Sequence, residues 1–177
     1  MADPNALDFF RIPTSALIAL DWRPYHFAMQ PYHYLVRITH ILSMATFFGC
    51  IAALDLRLMG WWPALSLRAL TDHVTPLLYA TFLCTIATGI ALFLYDPVHV
   101  GSHAYFSLKL ALTAVGFANA AIFRRSGYLA TFAMDESSSP HPAARARLAG
   151  GLSLAIWTGV VICACLNVEA APKVLLR

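Results

Sequence analysis

Four long stretches of this chain are almost continuously apolar, and polar segments separate them. They run over residues 34–54, 74–95, 104–123 and 148–168. Each is close to the roughly 20 residues that an α-helix needs to cross the hydrocarbon core of a bilayer. The second and fourth carry no Asp, Glu, Lys or Arg. A helix that is apolar on all sides belongs in lipid or in a large core. The pattern therefore predicts an all-α fold, a four-helix transmembrane bundle occupying residues 34–170. A tail follows at 171–177.

Residues 1–33 read differently. Ala16–Leu20 form a short apolar run between Pro13-Thr14-Ser15 and Asp21-Trp22-Arg23-Pro24. This predicts a helix lying on the membrane surface, with Trp22 and Tyr25 at headgroup level. Pro24 and Pro31 break the chain before the first span. Pro76 is expected in the first turn of span two, where a missing N–H is harmless. Met1–Phe10 lacks the basic and apolar regions of a secretory signal, so the chain is expected to insert through its own spans.

Composition agrees with this reading. Of the 177 residues, 59% are hydrophobic and 12% charged, about half the usual charged share of roughly 25% in soluble domains. No basic stripe is interleaved with aromatics, which excludes nucleic acid as the expected partner. The net charge of +3 comes largely from arginines between the spans. Arg57, Arg68, Arg124, Arg125, Arg145 and Arg147 gather in the loops after spans one and three. Arg11, Arg23, Arg37, Lys173 and Arg177 lie towards the other side. Arginine in short loops favours the cytoplasm. The expectation is a bacterial inner-membrane protein, both termini periplasmic, with a polar linker at Asp135–Pro142. Cys50, Cys84, Cys163 and Cys165 all fall within spans and read as packing residues.

The candidate chemistry follows from topology. His40 lies about five residues into span one and Lys109 about five into span three. Both spans start from the same side, so both residues sit roughly 8 Å below their helix starts. The antiparallel spans two and four offer Gly89 and Cys163 near that level. A titratable group at that depth is costly and marks a functional site. Five of the seven histidines (His26, His33, His40, His99 and His103) crowd towards one face, and only His73 and His141 lie on the other. This imbalance suits haem b, which takes His axial ligands and basic groups for its propionates. His40 is the first axial candidate, with His103 or His99 as the second. Lys109 and Arg37 would hold propionates, and Gly89 would let a ring approach.

The alternative metal chemistry, third in order among the readings, is copper or zinc. Asp96, His99 and His103 have ligand-like spacing, and His40 and Met44 stand one helical turn apart. The runner-up to haem b is a structural or assembly subunit of a respiratory or photosynthetic complex without its own cofactor. In that reading His40 bonds within the bundle, Lys109 snorkels and Glu169 pairs with it. No Ser/His/Asp grouping, phosphate loop or paired buried carboxylates appear, so a side-chain catalytic centre is not expected.

Several motifs carry a resemblance. They are Thr39-His40-Ile41-Leu42, Ala53-Leu54-Asp55-Leu56-Arg57-Leu58-Met59-Gly60 and Leu67-Arg68-Ala69-Leu70-Thr71. Thr88-Gly89 with Phe93, Phe106-Ser107-Leu108-Lys109-Leu110 and Ser153-Leu154-Ala155-Ile156-Trp157 complete the set. Over residues 15–165 the chain resembles a family of small bacterial inner-membrane proteins known as a domain of unknown function. The family pattern has Asn-Pro where Ser102-His103 stand, and Gly-Arg where span four ends in Cys163-Ala164-Cys165-Leu166. More distantly, one histidine in span one and one lysine in span three is similar to copper-resistance D-type proteins and haem-binding four-helix membrane proteins. That resemblance implies haem b or copper at His40. The leading expectation is a haem-b-binding subunit that passes electrons between a membrane or periplasmic redox partner and the quinone pool or a larger complex.

Overall fold

The structure, a computed structural model, describes residues 11–126 and 144–168. The linker, His141, Glu169, Lys173 and Arg177 lie outside the described residues. Four long helices dominate: α3 (His33–Leu58), α4 (Leu67–Tyr95), α6 (Ala104–Ser126) and α7 (Ala144–Val168). Two short helices, α1 (Thr14–Leu20) and α2 (Arg23–Met29), precede them, and α5 (Pro97–Gly101) links α4 to α6. No strand occurs among the described residues.

The four long helices are long and apolar enough to cross a membrane. Their large side chains also point outward: Leu35, Leu42, Leu83 and Leu148 are all more than half exposed. In water such a surface would be untenable over this area. The chain is a multi-pass membrane protein whose exterior is made for lipid.

Around the bundle the helices follow the order α4, α3, α7, α6. One layer of rings ties all four together. Phe47 of α3 meets Phe82 of α4 at 5.4 Å between centroids and Trp157 of α7 at 4.9 Å. Phe117 of α6 closes the circuit, 5.2 Å from Phe82 and 5.8 Å from Trp157. Three of the four contacts are edge-to-face, an arrangement worth about 0.5–1.5 kcal/mol per pair beyond burial. Gly116 makes room for the layer, because a Cβ there would stand 3.2 Å from the Trp157 ring. Trp157→Ala removes two of the four contacts. A soluble core would lose about 3–5 kcal/mol. In a bilayer the transfer contribution largely vanishes, so the expected loss is about 1–3 kcal/mol, read as a lower melting midpoint in detergent.

Helix ends extend beyond the apolar runs. Helix α4 starts at Leu67, where the Ser66 hydroxyl caps the Ala69 N–H at 3.3 Å. Pro76 therefore sits inside the helix rather than in its first turn. Thr71 and His73 are absorbed by bonding back to the carbonyls of Leu67 and Ala69. Helix α3 continues through Asp55 and Arg57, both buried. It stops where Gly60 takes φ 101°, a conformation open to glycine.

At the histidine-rich end the N-terminal segment is fastened to protein as well as exposed. Leu17 of α1 is 1% exposed and seats over Gly101 of α5, where a Cβ would come within 2.6 Å of it. Ile18 and Trp22 stay exposed, as a surface helix requires. Helix α2 is tied to α4: the Tyr25 hydroxyl donates to the Ala91 carbonyl at 3.1 Å, and His26 Nδ1–H donates to the Tyr95 carbonyl at 2.9 Å. The His26 and His33 rings stack on the two faces of Tyr95 at 4.4 and 4.5 Å.

Candidate functional site

The aromatic layer sets the register of everything above it. His40 lies seven residues from Phe47, Gly89 seven from Phe82, Lys109 eight from Phe117 and Cys163 six from Trp157. Each is therefore roughly 10 Å from the layer, towards the histidine-rich end. The structure brings these four residues together from four different helices.

His40 is half-buried on α3. Its Nδ1 stands 2.9 Å from the Thr88 hydroxyl of α4. That hydroxyl has one proton, and it goes to the Cys84 carbonyl at 2.6 Å, a group that can only accept. Thr88 must then accept from His40, so Nδ1 carries the imidazole proton and Nε2 carries the lone pair. The ring edge rests on Gly89: a Cβ there would lie 3.1 Å from His40 Cε1 and 3.6 Å from Nδ1. Nε2 lies more than 4 Å from that Cβ position and makes no hydrogen bond among the described residues.

A second pair of hydroxyls supports the first. The Thr85 and Ser43 hydroxyls stand 3.0 Å apart, and each also reaches a carbonyl of its own helix, Thr81 at 2.8 Å and His40 at 3.1 Å; Ser43 is buried. Helices α3 and α4 are thus joined by side-chain polar contacts over one turn, from the histidine towards the aromatic layer.

Lys109 of α6 lies within electrostatic reach of both His40 and Cys163. Its ammonium sits 5.0 Å from the Phe106 ring centroid, and Phe106 stacks on Phe93 of α4 at 5.0 Å. No carboxylate among the described residues pairs with it. Arg37 is exposed on α3, about one turn nearer the histidine-rich end.

The other candidates are placed differently. Asp96 accepts from the His99 backbone N–H at 3.1 Å and so caps α5. His99 is exposed. His103 donates Nδ1–H to the His99 carbonyl at 2.8 Å, and the two rings meet edge-to-face at 5.6 Å. Six residues separate His103 from Lys109, roughly 9 Å of helix rise, so neither histidine belongs to the cluster around His40. Among the described residues no three His, Cys, Asp or Glu converge to hold a metal ion. The cysteines are free, with Cys50 and Cys163 buried.

One polar residue escaped the sequence reading. Asp55 is only 6% exposed, and Ser153 of α7 is its hydrogen-bonding partner. Its Oδ2 has no partner among the described residues. The available signal was an acid closing an apolar run, with a serine at the matching level of span four. Thr88 was visible only as the neighbour of Gly89.

The chain matches no family model, and no curated protein or solved structure is significantly similar to it.

Proposed function

We propose that this protein is a membrane-embedded electron-transfer subunit that holds haem b through His40. The observation that carries the reading is the Thr88–His40 bond. It fixes the imidazole as the Nδ1–H tautomer and leaves Nε2 as an unengaged donor inside a bundle. Histidines that bind metals are oriented in this way, with the second ring nitrogen hydrogen-bonded.

The donor chemistry fits the group. His40 supplies the nitrogen, and Thr88 holds its ring. Gly89 lets the imidazole edge seat on the α4 backbone. Lys109, with Arg37 nearer the surface, supplies positive charge for propionates. When bound, haem b supplies a one-electron iron couple. His99 and His103 bond to each other's neighbourhood rather than to this cluster, so the reading rests on one axial histidine. A redox partner on the histidine-rich side, or quinone in the bilayer, would exchange the electron. The arginine bias supports placement in a bacterial inner membrane with that side periplasmic.

The test is an optical spectrum of the detergent-purified protein, expressed with haem supplied. A Soret band whose α and β bands sharpen with dithionite is the expected result. A spectrum without a Soret band sinks the proposal and favours a cofactor-free subunit, in which the His40–Thr88 bond only locks two helices.

A further inference from the structure

A groove opens between α6 and α7 at the arginine-rich end, far from His40. Its volume is about 330 Å³, at the low end of small-ligand sites, which run to roughly 300–1,000 Å³. Asn119, Ile122 and Phe123 form one wall, and Arg145, Leu148 and Leu152 the other. Asn119 is already engaged, donating to the Ala149 carbonyl at 3.1 Å. Arg145 is thus the polar group left to meet a ligand, and no described carboxylate pairs with it.

Charge on the two helices that form the walls has one sign. Arg124 and Arg125 close α6, and Arg145 and Arg147 open α7, all four exposed. Neither helix contains an Asp or Glu. The apolar part runs inward from Arg145 along the helix. Leu148 is 74% exposed and Leu152 49%, so this wall faces the surrounding medium rather than the bundle.

A cation at the rim and an apolar slot leading towards mid-membrane match one kind of molecule. We propose that the groove binds an anionic glycerophospholipid, its phosphate against Arg145 and an acyl chain along Leu148, Leu152 and Ile122. Basic pockets between transmembrane helices recognise anionic headgroups by this chemistry. The neighbouring arginines raise the local potential, and Arg145 provides the contact.

Native mass spectrometry of the full chain in detergent tests this directly. Phosphatidylglycerol and phosphatidylcholine with identical acyl chains are titrated in parallel. The wild type is expected to retain phosphatidylglycerol preferentially. Arg145→Gln should weaken that lipid about fivefold and leave phosphatidylcholine unchanged. Leu148→Trp, which fills the slot from an exposed position, should weaken both. Arg23→Gln, an exposed arginine at the opposite end, should behave as wild type. The proposal is overturned if Arg145→Gln and Arg23→Gln are indistinguishable. It is equally overturned if glycerol phosphate competes as well as the intact lipid, because the acyl slot would then contribute nothing.

Discussion

His40→Ala is expected to abolish the Soret absorption of the haem-supplied protein while leaving a folded helical bundle. The side chain is half-buried and is held by α4 alone, through the Thr88 hydroxyl with the Thr85 backbone beside it. Its loss as a structural element therefore costs about 0.5–1.5 kcal/mol for one hydrogen bond. As an axial ligand its loss removes the protein's nitrogen donor altogether. The two roles separate in a paired experiment that records haem occupancy and melting midpoint on one preparation. Thr88→Val refines it. Valine keeps the shape and deletes the acceptor that holds Nδ1–H, so the imidazole loses its fixed tautomer. Haem affinity should fall about 10–100-fold, as when an outer-shell partner of a metal ligand is removed. Thr88→Ser should restore it. Equal occupancy in wild type, His40→Ala and Thr88→Val would place any bound haem elsewhere.

Much of that site was legible in the sequence, for a simple reason. Alternating spans of known rise fix depth. His40 and Lys109 enter from one side, Gly89 and Cys163 arrive from the other, and counting residues puts all four at one level. The same counting cannot say which helix neighbours which, or how each is rotated. A helix that is apolar on all sides has no stripe to aim at a core. That is why the pairing of His40 with Thr88 did not emerge, although Thr88-Gly89 stood out as a motif. It is also why the layer formed by Phe47, Phe82, Phe117 and Trp157 was invisible: each ring is one apolar residue among many until the helices are oriented.

Helix ends were the other loss. Thr71, Asp72 and His73 read as loop because they are polar, yet they lie on α4 beyond the apolar run. At a membrane surface polar residues are as suited to an emerging helix as to a loop. Ser66 marked the true start, through its bond to the Ala69 N–H. Asp55 was lost in the same way. An acid at the edge of an apolar run marks where the run stops, but not that α7 will cover it.

A close approach of α3 and α7 gives a stability prediction as large as that for Trp157. A Cβ at Gly150 would lie 2.8 Å from the Asp55 backbone oxygen and 3.0 Å from Leu58 Cβ. Neither neighbour is the far end of a flexible side chain, so relief requires the helices to separate. Gly150→Ala should therefore cost about 1–3 kcal/mol, the range for overpacking a fitted interface. In a chain of this size that lowers the melting midpoint by roughly 3–10 °C. Gly49→Ala is the matched control. It lies on α3, within a transmembrane helix as Gly150 does, but a Cβ there meets nothing within 4 Å. Alanine gains about 0.5–1 kcal/mol over glycine in a helix interior, so that variant should melt at or above the wild-type midpoint. The contrast isolates contact from propensity, because both changes are glycine to alanine within transmembrane helices. Equal midpoints for the two variants would mean that α3 and α7 are not held in close backbone contact at Gly150. The covering of Asp55 by Ser153 would then have to be abandoned with it, since the same approach brings both about.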